Sequence, residues 1–195
     1  MQSRSNASLF WPILFVVAVV DVITKAAAER LLLPRGIPHE VLGRTVRFTL
    51  VYNPGAAFGL NLGPQSRWIF AALTLVALVI LGRLYRTTQA GHVARTVSLA
   101  LVCAGAVGNL LDRMRSFFGV VDFIDVGVGD ARWPTFNVAD MAVSVGAALL
   151  AWVLWQEDRE AREEEATGLS TPSVPATVVS AVPASASGAE SADVA

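Results

Sequence analysis

Residues suited to covalent or metal chemistry are scarce in this 195-residue chain, which has one cysteine and two histidines. A lone Cys103 permits no intrachain disulfide. Set between Leu101, Val102 and Ala104, it reads as a small packed hydrophobe. His39 and His92 stand apart, no cluster of His, Cys, Asp and Glu has metal-site spacing, and no Ser/Lys or Cys/His pairing points to a covalent intermediate. Neither a metal nor another cofactor is expected. Charge is scarce too: 16% of residues, where a soluble domain has about a quarter, beside 54% hydrophobic residues. That balance excludes an ordinary soluble domain and describes an integral membrane protein.

The formal net charge of −1 hides an uneven distribution, because half of the 16 acidic residues lie at or after Glu157. The remainder of the chain is basic, which suits contact with anionic lipid head groups. Apolar runs near 9–28, 68–84, 93–112 and 136–156 predict four transmembrane helices. The first, with Arg4 before it and Ala26-Ala27-Ala28 at its end, mimics a signal peptide. Asp21 and Lys25 interrupt it where a cleavable peptide is normally uncharged, so a retained helix is expected. All five tryptophans fall near the ends of these runs, where indoles settle at the membrane interface. Ala104-Gly105-Ala106-Val107-Gly108 offers a small-residue face for close helix packing.

Between the first two runs, residues 45–52 alternate at strand period and predict a small sheet on the membrane surface. Asn53-Pro54-Gly55 marks a turn, and residues 56–64 form an uncharged, glycine-spaced segment able to lie on lipid. The expected fold is therefore an all-α membrane protein of four transmembrane helices, with a small β-sheet and an amphipathic segment in the first extracytoplasmic loop. Residues 1–156 form the membrane domain, and residues 157–195 an acidic, then low-complexity, disordered cytoplasmic tail. The short loop between the second and third helices carries Arg83, Arg86 and Arg95 and no acid, which favours cytoplasmic termini.

Two acids stand out because they lie among residues suited to lipid. Asp122 follows Val120-Val121 and precedes Phe123-Ile124, and Asp140 opens the fourth apolar run. Ionised groups in such places are expensive and are functional candidates. If the two are neighbours in space, they cannot both ionise cheaply. One then keeps a proton and serves as acid while the other serves as base. Asp140 has a second reading, since Asn137 three residues earlier makes an N-terminal capping pair with it. Asp21 and Lys25, four apart, face one side of their helix and predict either an ion pair or a clamp on a head group or backbone. Asn109, Asp112 and Arg113 close the third helix, either as caps or with Arg113 binding a phosphate or peptide carbonyl. Four spans bring Asp21, Lys25, Asn53, Asn109, Arg113, Asp122, Asn137 and Asp140 to the face opposite the termini. A proton or cation carrier using buried carboxylates is the rival reading, although the second helix offers only Thr74 as a polar residue between Trp68 and Gly82.

Five blocks carry a resemblance: Asp21-Val22-Ile23-Thr24-Lys25, Asn53-Pro54-Gly55-Ala56-Ala57-Phe58-Gly59, Gly108-Asn109-Leu110-Leu111-Asp112-Arg113, Val121-Asp122-Phe123-Ile124 and Phe136-Asn137-Val138-Ala139-Asp140. In this order they resemble the bacterial lipoprotein signal peptidases, or signal peptidase II. The resemblance implies a four-helix inner-membrane aspartic endopeptidase that removes the signal peptide from prolipoproteins just before a cysteine bearing diacylglycerol. It implies Asp122 and Asp140 as catalytic residues, with Asp21, Lys25, Asn53, Gly55, Asn109, Arg113, Asn137 and Ala139 shaping or supporting the site. Diacylglyceryl-prolipoproteins, membrane lipids and globomycin-type inhibitors are the implied partners, with no nucleic acid. The implied site lies at the outer, periplasmic face.

Overall fold

The computed structural model describes residues 6–55 and 62–167. Most of the expected amphipathic segment (56–61) and the expected disordered tail from 168 onward lie outside the described residues. The apolar runs form α1 (Asn6–Leu31), α2 (Ser66–Arg86), α3 (Val93–Arg115) and α4 (Val138–Ala166). All four are long and apolar enough to cross a membrane. The shortest, α2 with 21 residues, is about 31 Å long, enough for a hydrocarbon layer of about 30 Å. The protein is a multi-pass membrane protein.

Helix α3 is the most buried of the four and packs against both α1 and α2. Its small residues admit α4. A Cβ at Gly105 would strike the Ala139 carbonyl and the Val143 side chain, and one at Gly108 would strike the Asp21 carboxylate. Gly146 returns the fit from α4, where a Cβ would stand 2.8 Å from Val102 and 2.9 Å from the Ser98 carbonyl oxygen. The outward faces, including Phe15, Ile23, Leu75, Val79 and Ile80, are exposed as a lipid-facing surface requires, and so are all five tryptophans.

The two ends of the bundle differ. At one, Phe10 stacks on Tyr85 at 4.1 Å beside Leu99, Ala100 and the buried Cys103. There the Asn6 amide donates to the carbonyls of Thr88 and Gln89 and accepts from the Gly91 N–H. Arg95 pairs with Glu157 at 2.7 Å. The start of α1, the turn between α2 and α3, and α4 at Glu157 thus share an end. Helix α4 continues ten residues past its expected end at 156. The added stretch is rich in Glu and Ala, both good helix formers, and Arg159 pairs with Glu163 one turn on at 3.2 Å. Residues 157–166 are therefore helix and not the start of a disordered tail.

The opposite end carries an antiparallel sheet, β1 (His39–Leu42), β2 (Val46–Asn53), β3 (Val120–Val128) and β4 (Ala131–Arg132), in that spatial order. Only the β2 region is legible as a strand in the sequence. Strand β3 comes from the connection between α3 and α4, so the sheet ties two loops together, with Val51 opposite Asp122 and Asn53 opposite Val120. The first four residues of β3 are all buried, which erases the alternation that betrays a strand. A bulge in β2 between Phe48 and Val51 buries two consecutive residues for different purposes. Leu50 enters a core of Ala28, Leu32, Val121 and Phe123, while the Thr49 hydroxyl donates to Asp125.

Asp125 holds the sheet laterally. Arg47 and Arg132, from β2 and β4, each pair with it at 2.7 Å. Burial alone would raise this carboxyl, but hydrogen bonds from Arg132, Arg47 and Thr49 outweigh it and hold it below the usual range.

Candidate active site

Asn137 is the junction of the site. It precedes the first residue of α4, and its carboxamide oxygen accepts the Asp140 N–H at 2.9 Å while the Asp140 carboxylate accepts the Asn137 N–H at 3.2 Å. This is a reciprocal capping pair. The Asn137 Nδ2 then donates to Asp122 Oδ1 at 2.6 Å, and also approaches Asn109 Oδ1 and the Val121 carbonyl at 3.2 Å. The capping bond occupies Asp140 Oδ2, and Asn109 Nδ2 donates to Oδ1 at 2.8 Å. Capping and facing the site are thus compatible roles for one carboxylate.

Asp122 is 2% exposed on β3. Asn53, at the end of β2, donates to its second oxygen at 3.2 Å. Gly119, at a φ of 100°, makes this approach possible, because a Cβ there would collide with the Asn53 carbonyl and lie 2.7 Å from Pro54 Cα. Burial, followed by the nearby charge of Asp140, pushes the Asp122 carboxyl up to about 7, against the opposing bonds from Asn53 and Asn137. Both acids line a cavity of about 590 Å³ with Asn53, Asn109 and Arg113. The remainder of its wall is largely apolar, including Trp133, Phe136, Met141 and Val145.

Arg113 does not reach the acids directly. It donates to the carbonyls of Asn109 at 3.1 Å and Gly55 at 3.0 Å. Gly55 in turn donates its N–H to Asn53 Oδ1 at 3.0 Å, so the Asn53-Pro54-Gly55 turn is fixed from both sides. Of the readings open to Arg113, capping or a bond to a phosphate or peptide carbonyl, the structure shows it on one carbonyl of its own helix and one of the Asn53-Pro54-Gly55 turn.

Behind the cavity, Lys25 is fully buried and has three acceptors: Asp21 at 2.8 Å, Asp112 at 3.0 Å and Asn109 Oδ1 at 2.9 Å. Asp21 pairs with Lys25 through one oxygen and accepts the Ala139 N–H at 2.8 Å through the other. The two readings of Asp21, ion pair and backbone clamp, both hold. The clamp satisfies an N–H in the first turn of α4, which has no partner within its own helix. Ala139, fully buried, has its Cβ against Gly108.

Every residue singled out from the sequence thus lies in or directly behind one cavity. Asp112, legible in the sequence only as a helix-end cap, holds Lys25, accepts the Val121 N–H at 3.2 Å and pairs with Arg115 at 2.9 Å. Its position beside Arg113 gives no hint that a lysine arrives from α1. Trp133, Phe136 and Ser144 in the wall carry no signal of their own in an apolar sequence.

Fold and site together define a multi-pass membrane protein with a polar, acid-bearing cavity at one end of a four-helix bundle. The profile of the family described as signal peptidase (SPase) II matches residues 13–156. The lipoprotein signal peptidase of Desulforapulum autotrophicum is 42% identical over 142 residues, 70% of this chain and 85% of that protein. That of Burkholderia thailandensis is 39% identical over 167 residues, 82% of this chain and 97% of that protein. A bacterial membrane enzyme solved by the in meso method at 2.3 Å has a TM-score of 0.72 and 28% identity, over 81% of this chain and 94% of that one. The chain belongs to the signal peptidase II family and is a membrane peptidase.

Proposed function

We propose that this peptidase cleaves the signal peptide from diacylglyceryl-modified prolipoproteins, just before the lipidated cysteine, with Asp122 and Asp140 as an aspartic dyad and water as nucleophile. One observation carries this reading: two acids from different elements line one cavity, and a single residue, Asn137, donates to both carboxylates, to Asp122 from its side-chain amide and to Asp140 from its backbone N–H. At neutral pH Asp122 is the member that retains the proton, given its carboxyl at about 7. Asp140 takes a proton from water as the water oxygen bonds to the scissile carbonyl carbon, and the carbonyl oxygen takes the Asp122 proton. The resulting gem-diol collapses. One hydroxyl returns its proton to Asp122, the C–N bond breaks, and the cysteine nitrogen leaves with the proton held by Asp140. Both carboxyls end as they began.

Asn53, Asn109 and Asn137 fix the carboxylates, while the Asp21 clamp fixes the start of α4. The substrate's acyl chains lie along the apolar wall of the cavity and α4, and a globomycin-type inhibitor occupies the same space. The protein sits in the inner membrane with cytoplasmic termini and its site at the outer face. A carrier would want polar groups at successive depths, whereas the Thr74 hydroxyl of α2 is taken up by the Phe70 carbonyl of its own helix at 2.7 Å.

Purified protein in lipid vesicles is expected to cleave a diacylglyceryl-modified precursor and spare the unmodified one, as read by mass spectrometry of the released peptide. Because Asp122 must be protonated to act as the acid, the rate is expected to fall as pH rises through about 7. Equal cleavage of both precursors, or a rate that does not decline above neutrality, would contradict the proposal.

A further inference from the structure

Several hydroxyls within the spans are satisfied by their own helices, whereas the fully buried Thr96 hydroxyl of α3 has no partner among the described residues. Thr24 bonds the Val20 carbonyl, Thr74 that of Phe70, and Ser98 that of Arg95. Ser144 is different: it is exposed, its hydroxyl makes no hydrogen bond to any described residue, and it stands in the cavity wall between Val143 and Val145. A hydroxyl facing hydrocarbon gains from a carbonyl partner wherever one is offered. Ser144 lies four residues after Asp140, about 6 Å further along α4 and deeper into the membrane.

We propose that Ser144 is a specificity-determining residue whose hydroxyl donates a hydrogen bond to an ester carbonyl of the diacylglyceryl group. The inference rests on the function proposed above. From the scissile carbonyl carbon to the nearer ester carbonyl of a diacylglyceryl cysteine is a path of about eight covalent bonds, roughly 6–10 Å through space. With the scissile bond beside Asp140, that carbonyl arrives one helical turn down. The other α4 residues in the wall beyond Asp140, Met141, Val143 and Val145, are apolar and give an ester no donor. Ser144 thus marks the lipid's ester linkages apart from its hydrocarbon chains.

The test uses wild type and Ser144→Ala in vesicles, each with two precursors: one bearing the diacyl group and one bearing a dialkyl ether of the same chain length. Wild type is expected to show a KM about 3–10-fold lower for the diester than for the diether, with equal kcat. Ser144→Ala is expected to raise KM for the diester by the same factor, leave the diether unchanged and so lose the discrimination. An unchanged KM for the diester in Ser144→Ala, equal handling of both lipids by wild type, or a rise in KM for both lipids in the variant would overturn the inference while leaving the proposed function standing. The last result would place the hydroxyl's contact on the peptide or its effect in packing. Failure of wild type to cleave either lipidated precursor would overturn the proposed function and the inference with it.

Discussion

Asp122→Asn is expected to lower the rate of precursor cleavage by at least about 10³-fold, and Asp140→Asn by a similar factor. The substitution keeps size and planarity, so the sheet pairing of residue 122 and the bond from Asn137 can persist. What it removes is the exchangeable proton on one side or the proton acceptor on the other. The two acids act on one water and one carbonyl, so the double variant is expected to be little worse than either single one. Single-turnover cleavage, followed through the released peptide, reads the effect, and thermal melting in detergent shows whether each variant is folded. A folded variant within tenfold of wild type would remove that acid from the chemistry.

The second large effect is on stability. Lys25→Met is expected to destabilise the folded protein by about 3–5 kcal/mol, because it strands buried acids that share the ammonium group. Asp21 is fully buried and Asp112 is 2% exposed, so neither can turn to water. The loss reaches the site by two routes: Asn109 loses the shorter of the two bonds to its oxygen, and Asp21 no longer has a fixed charge to hold it against the Ala139 N–H. Adding Asp21→Asn and Asp112→Asn to Lys25→Met is expected to recover part of the melting temperature, since removing all the charges relieves the uncompensated ones. A melting temperature in Lys25→Met equal to wild type would show that the cluster does not contribute to the fold.

The spans were legible because lipid leaves few options: a predominantly apolar run of this length satisfies its backbone as a helix. The glycines of α3 were legible as packing residues, and Gly105 and Gly108 meet α4 and Asp21. Strand β3 was hidden by its burial on both faces, although the acid it carries drew notice for standing among valines. For Asp140 the sequence offered capping and a functional site as alternatives, and the geometry combines them, one oxygen bonding Asn137 and the other Asn109. Asp112 and Ser144 were opaque for opposite reasons. The role of Asp112 depends on a lysine 87 positions away in sequence, and that of Ser144 on an empty space beside it. Contacts of that kind are properties of the packed bundle and leave no local pattern.

The most direct measurement of the proposed shared proton is the titration of Asp122 itself, followed by carbon NMR of selectively labelled aspartate in detergent. The Asp122 signal, assigned by its absence in Asp122→Asn, is expected to titrate near 7, and to titrate lower in Asp140→Asn, where the neighbouring charge is gone. Titration of Asp122 in the ordinary carboxylate range, unchanged by Asp140→Asn, would mean that the two acids do not share a proton, and the dyad would have to be given up.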